Sequence, residues 1–169
     1  VFSHTGGFAL AALDGGAAGA LCIDSSGHAL DLASKAAARN GMSARVAFKK
    51  ADAFDALGEL EAANETFGVV VADPPAFAKA RKDIEPAARA YRKLARQATK
   101  LVAREGVLCL ASCSHHVDLD RFMTETRIGI AESNRSGRLL HIGGADADHP
   151  IHPYLPETAY LKALVYALD

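Results

Sequence analysis

Cys113, in the run Ala111-Ser112-Cys113-Ser114-His115-His116, follows the apolar stretch Val107-Leu108-Cys109-Leu110, and Asp73-Pro74-Pro75 ends an earlier apolar run, Phe67 to Ala72. A thiol and a carboxylate leaving the carboxyl ends of two buried strands are the pair needed to attack an unreactive pyrimidine ring carbon. The sulfur adds beside the target carbon and makes it enamine-like, while Asp73 hydrogen-bonds the exocyclic amine or ring nitrogen and stabilises the developing charge. A thiol near its unperturbed pKa of ~8.5 is only a few per cent ionised at neutral pH, so Cys113 should be helped by the positive charge of a bound cofactor or by a nearby donor, and His115 or His116 could assist. Plainer roles exist for the same residues. Cys113 could be a small buried hydrophobe, or could bind zinc with His115 and His116, although no Cys-x-x-Cys pair accompanies them.

The elements that must position these groups alternate at short spacing, strand-like then helix-like, which is the pattern of parallel βαβ units and an α/β fold. The pattern predicts a truncated strand to about His4, a helix over Gly7 to Asp14, a strand over Gly19 to Asp24 and a helix over Ser26 to Asn40. A strand near Arg45 to Lys50, a helix over Phe54 to Asn64 and the strand Phe67 to Ala72 follow, the last ended by prolines that cannot continue a ladder. Then come an amphipathic helix over Glu85 to Ala103, a strand over Gly106 to Ala111 and a helix over Val117 to Glu132. Arg89, Tyr91 and Arg92 are expected on the surface of the first of these helices, where they could line an RNA channel. Arg138 to Ile142 and Ala159 to Ala167 read as strands joined by a loop rich in Gly, Asp and Pro, so they should pair as an antiparallel hairpin. In that loop His149 and His152 are expected to make structural hydrogen bonds.

Ligands of open parallel sheets bind at strand carboxyl ends where the strand order reverses. The loop Thr5-Gly6-Gly7-Phe8 sits at such an exit, its glycines permitting close backbone approach, but it lacks the three spaced glycines of a dinucleotide fingerprint. Asp24 ends the second strand, where an acidic residue can bind ribose hydroxyls, and Asp52 ends the third, where a carboxylate can accept from an adenine amino group. A groove of this kind suits an adenosine without a diphosphate and points to S-adenosyl-L-methionine rather than NAD. His4, Thr5, Gly6, Gly7, Asp24, Ser25, Asp52, Ala53 and Asp73 form the expected cofactor set.

With 169 residues, 50% hydrophobic and 23% charged, the chain has the size of one globular domain with a substantial core. Its three cysteines are an odd number, and Cys22 and Cys109 lie in apolar runs, which argues for reduced thiols and against a disulfide framework. A formal net charge of -1 gives no electrostatic footprint for tight nucleic-acid binding. No apolar run approaches the roughly 18 to 20 residues that span a bilayer, and a cytoplasmic protein without membrane contact is expected. The chain opens without Met at Val1-Phe2-Ser3-His4, as though a first strand had been cut partway, and is expected to lack an amino-terminal portion.

Taken in order, Phe2-Ser3-His4-Thr5-Gly6-Gly7-Phe8, Asp73-Pro74-Pro75-Ala76-Phe77, Ser112-Cys113-Ser114-His115, Asp148-His149-Pro150 and Pro156-Glu157 leading to Tyr160-Leu161-Lys162 form a specific combination. It resembles the class I methyltransferase domain of bacterial 23S ribosomal RNA cytosine-C5 methyltransferases of the RlmI type. The resemblance implies a Rossmann-like, mostly parallel seven-stranded sheet whose last strand is antiparallel, and S-adenosylmethionine as methyl donor. It further implies Cys113 as nucleophile, Pro74 and Pro75 as the turn at the base and Phe77 as a wall of its pocket. Its members carry an amino-terminal RNA-binding domain of PUA type and a small linker domain. Contact with ribosomal RNA would then come mainly from a part absent here, with a homodimer as a possible assembly. His4 stands where an aromatic commonly precedes Thr-Gly-Gly. The competing readings are an amino methyltransferase acting on adenine, which needs the Asp-Pro-Pro turn but no cysteine, and a non-catalytic cofactor- or RNA-binding module. A nicotinamide dehydrogenase ranks last.

Overall fold

The computed structural model of the chain describes residues 1–147 and 149–169, Pro156 by its backbone alone. Asp148 of the Asp-His-Pro motif lies outside the described residues. The chain divides into two compact units, Val1–Glu59 and Leu60–Asp169.

In the first unit, α1 (Gly7–Asp14) precedes β1 (Ala20–Asp24), α2 (Gly27–Arg39) and β2 (Val46–Lys50), and α3 (Ala53–Ala62) begins at its end. β1 and β2 pair in parallel, from Ala20 opposite Val46 to Asp24 opposite Lys50. The crossover helix α2 begins at Ser26, whose Oγ accepts the Ala29 amide at 3.2 Å and so satisfies one of the free donors of the first turn. It buries Ala29, Leu30, Ala33 and Ala37, one helical stripe of mostly small side chains that permits close approach. The expected strand to His4 does not form. Phe2 and His4 both have positive φ, 56° and 45°, which no strand accommodates, and a single backbone bond from Ser3 N–H to the Ile23 carbonyl (3.0 Å) marks its place beside β1.

The second unit holds β3 (Phe67–Ala72), α4 (Ile84–Lys100), β4 (Val102–Ser112), α5 (Leu119–Glu132), β5 (Gly137–Gly143) and β6 (Lys162–Leu168). Its four-stranded sheet runs β3-β4-β6-β5, with β3 and β4 parallel and β6 antiparallel to both its neighbours. The carboxyl-terminal hairpin expected from the sequence is therefore present. The expected seven-stranded, mostly parallel sheet is not: the described residues form two-stranded and four-stranded sheets, and the Phe2 and His4 conformations account for one missing strand. β4 starts earlier than expected because it carries an irregularity, its pairing with β3 jumping from Phe67–Val102 to Val69–Val107. Glu105 turns there with φ 58°, and at Gly106 a Cβ would come within 2.9 Å of the Gly68 carbonyl oxygen.

Helices α4 and α5 pack on one another through Gly129, where an added Cβ would lie 2.4 Å from the Arg92 carbonyl oxygen and 2.8 Å from the Ala95 Cβ. Beside this contact the Glu125 carboxylate, 3% exposed, accepts from Arg92 Nε and Arg121 Nε, each at 2.8 Å. Two guanidinium groups thus offset the cost of burying its charge. Tyr91 is not on the helix surface as expected: it is 1% exposed, with its ring edge-on to Phe122 at 4.9 Å. In the loop after β5, His152 Nδ1 accepts the Tyr154 amide at 3.2 Å, the structural role expected of it. Among the described residues no helix is long and apolar enough to cross a membrane.

Gly129→Ala should destabilise the fold by about 1–3 kcal/mol in urea denaturation, because the overlap is with backbone and outweighs the gain of up to about 1 kcal/mol in helix propensity. A neutral or stabilised variant would mean that α4 and α5 can separate without loss.

Candidate active site

β3 and β4 are parallel neighbours with Ala72 opposite Leu110, so their carboxyl ends leave the sheet side by side and deliver Asp73 and Cys113 to adjacent exits. Cys113 Sγ points at the turn that follows Asp73 and donates a weak hydrogen bond to the Pro74 carbonyl at 3.6 Å. Pro74 is buried and Pro75 exposed, while Asp73 and Phe77 are half-buried.

The serines on either side of the thiol are fully buried and tied to one phenol. Ser112 Oγ donates to Tyr91 Oη at 2.8 Å, Tyr91 Oη meets Ser114 Oγ at 2.8 Å, and the Ser114 amide returns to Ser112 Oγ at 3.3 Å. Because Ser112 donates to the phenol oxygen, the phenol hydrogen is free to reach Ser114. Ser114 Oγ also accepts the Ala78 amide at 3.2 Å, fixing the far end of the Asp73–Ala78 segment, and the Phe77 ring lies 4.8 Å from that of Tyr91. Every buried hydroxyl in this group is satisfied, which is what makes such a network hold a single conformation.

Charge at the sulfur comes from two side chains. Burial pushes the Cys113 thiol above its ordinary range, the Asp73 carboxylate pushes it further in the same direction, and Lys162 acts against both. Asp73 is itself raised by burial. His115 and His116, which could assist the thiol, pack edge to face on each other at 5.3 Å, and a cation not expected from the sequence, Lys162, acts on the sulfur. Its Nζ, on a residue 8% exposed, donates to the carbonyls of Ser114 (2.9 Å) and Tyr160 (2.8 Å). The signal was the period of two in β6, where Lys162, Leu164, Tyr166 and Leu168 share the buried face.

The expected cofactor residues lie mainly in the first unit. Gly6 caps α1 with φ 82°, and a Cβ on it would lie 3.0 Å from the Ala33 Cβ. At Gly7 a Cβ would meet nothing within 4 Å, so the start of α1 offers open space with backbone amides at a helix amino terminus. The Asp24 carboxylate accepts the His4 amide on Oδ2 (2.8 Å) and the Ser26 amide on Oδ1 (2.9 Å). A carboxylate has roughly four acceptor positions, so these two bonds orient Asp24 while leaving capacity for ribose hydroxyls. Asp52 is the amino-terminal cap of α3, and both its bonds, to the amides of Phe54 (2.8 Å) and Asp55 (3.3 Å), fall on Oδ1. Thr5 and Ser25 are exposed and Ala53 is buried in the first turn of α3. A glycine-lined opening with oriented carboxylates at two successive strand ends is chemically fit for an adenosine.

The reactivity of Cys113 toward iodoacetamide, followed peptide by peptide against pH, should rise with a midpoint above the ordinary thiol range. Asp73→Asn should move that midpoint down by ~0.5–1 pH unit, since the lost negative charge opposed thiolate formation. An unmoved curve would remove Asp73 from the electrostatics of the sulfur.

A family model described as S-adenosylmethionine-dependent methyltransferase matches residues 1–167. Two relatives, each named Ribosomal RNA large subunit methyltransferase I, come from Aeromonas salmonicida (36% identical over 165 residues) and Photobacterium profundum (35% over 162 residues). The alignments cover 97% and 95% of this chain and 42% and 41% of the relatives, so the chain spans less than half the length of the relatives it matches. The crystal structure of SMU.776, complexed with S-adenosylhomocysteine, superposes with a TM-score of 0.83 at 21% identity, over 98% of this chain and 43% of that one. An S-adenosylmethionine-dependent methyltransferase from Agrobacterium tumefaciens gives 0.74 at 16% identity, over 99% and 54%. At such identities the structural likeness establishes a Rossmann-like fold, whereas the family match extends over nearly the whole chain. The chain belongs to the S-adenosylmethionine-dependent methyltransferase family.

Proposed function

We propose that this chain is the methyl-transfer domain of a large-subunit ribosomal RNA methyltransferase acting on carbon 5 of cytosine through a covalent cysteine adduct. The observation that carries the reading is the approach of Cys113 Sγ to the Pro74 carbonyl, which sets a thiol against the Asp73-Pro74-Pro75 turn. The names of the relatives support ribosomal RNA as the substrate class.

In this reading Asp73 and Phe77 hold a cytosine that is single-stranded or flipped from its stack. Cys113 reacts as the thiolate, its proton already lost to solvent, and forms a bond to carbon 6, while the electrons of the 5,6 double bond move into the ring, where Asp73 would steady them. Asp73, whose carboxyl is raised by burial, would hydrogen-bond the exocyclic amine or the ring nitrogen. Gly6, Gly7, Asp24 and Asp52 would hold S-adenosylmethionine, which would supply an electrophilic methyl group to carbon 5 and leave as S-adenosylhomocysteine. Carbon 5 then loses its proton to a base, the double bond re-forms, and the carbon–sulfur bond to Cys113 breaks. The amino-terminal RNA-binding portion of the family would contribute most of the RNA affinity, in keeping with the formal charge of -1.

Cys113→Ala should abolish methyl transfer to deproteinised ribosomal RNA while leaving S-adenosylhomocysteine affinity unchanged. Retained transfer would favour the amino-group reaction, which needs no thiol. Asp24→Asn should weaken S-adenosylhomocysteine binding about 10- to 100-fold by calorimetry, the scale of losing hydrogen bonds to a charged acceptor. Unaltered affinity would take Asp24 out of the cofactor set.

A further inference from the structure

Lys162 is an ammonium group kept out of water, and its immediate partners do not neutralise it. Two of its three hydrogens go to the carbonyls of Ser114 and Tyr160, which are dipoles and carry no net charge. A buried cation so placed is costly unless an anion shares its surroundings. The anionic groups that act on it are Asp118, the cap of α5, and Cys113 when ionised. Lys162 stands opposite Ser112 in the β4–β6 register, and its bond to Ser114 spans the turn that presents the thiol, so the charge is fixed to the same short piece of backbone as the sulfur.

We propose that Lys162 is a positioning residue for methyl transfer: its pinned ammonium supplies the counter-charge that stabilises the Cys113 thiolate and receives the sulfur's charge again when the adduct breaks down. The inference rests on reading Cys113 as the nucleophile and adds the group that makes it one. The groups that bear on the sulfur are Asp73 from the end of β3, Tyr91 from α4 and Lys162 from β6; Asp118 from the amino end of α5 acts on the lysine, and His115 and His116 follow the thiol in sequence. Lys162 is the cation among those acting directly on the sulfur.

The discriminating variant is Lys162→Gln, whose amide can still donate to both carbonyls but carries no charge. With the full chain and no RNA or cofactor present, the alkylation midpoint of Cys113 should rise by about one pH unit in Lys162→Gln and return toward the starting value in Lys162→Arg. A Lys162→Gln protein with an unchanged midpoint overturns the inference, because hydrogen bonding alone would then account for the residue. A second measurement leaves Lys162 intact: its Nζ titration, followed by NMR, should shift to lower pH in Cys113→Ala, since coupling between two titrating groups is reciprocal. Identical lysine titrations with and without the thiol would equally overturn it. These readouts are independent of turnover, so their failure leaves the cytosine-C5 reading standing, whereas methyl transfer by Cys113→Ala would sink that reading with the coupling intact.

Discussion

A ring of three hydroxyls closed by the Ser114 amide, beside the thiol, is the constraint on which the site depends. Ser112, Tyr91 and Ser114 satisfy one another in a setting from which water is excluded, and Ser114 reaches on to the Ala78 amide. Three segments distant in sequence, the end of β4, the middle of α4 and the Asp-Pro-Pro segment, are thereby joined at one place. Cys113 needs no strong contact of its own to be well placed; the residues on either side are immobilised, and its Sγ needs only the weak bond to Pro74. Removing the Tyr91 hydroxyl would cost both serines a partner, so the arrangement is held cooperatively.

The electrostatics of the thiol run in the opposite sense to its geometry. Burial and the Asp73 carboxylate favour the protonated sulfur, and Lys162 partly offsets them. A site that withholds its thiolate at rest protects the cysteine from oxidation and alkylation, both of which need the ionised form.

Much of this was legible in the residues because the strand carboxyl ends are marked by strong local chemistry. Two prolines stop β3 after Asp73, and the Ser-Cys-Ser run follows an apolar strand, so the placement of Asp73 and Cys113 at strand carboxyl ends was legible without coordinates. Other features depended on packing that pattern alone does not reveal. Tyr91 sits among Arg89, Arg92 and Lys93 and reads as surface, yet its phenol is drawn inward by two serines far along the chain. The first strand fails because the backbone at Phe2 and His4 turns left-handed, a conformation that neither residue type announces. β4 begins earlier than its apolar run because Arg104 and Glu105 occupy an irregular turn inside it.

The glycine pair at the start of α1 divides its labour between two unrelated demands. Gly6 is held on one side by its left-handed backbone and on the other by the Ala33 methyl, so the loop and α2 can be seated only together. Gly7 has free volume where a side chain would stand. Drift at the first residue would therefore be felt as a dislodged helix and a loss of cohesion, and drift at the second as a crowded doorway, with the body of the protein undisturbed.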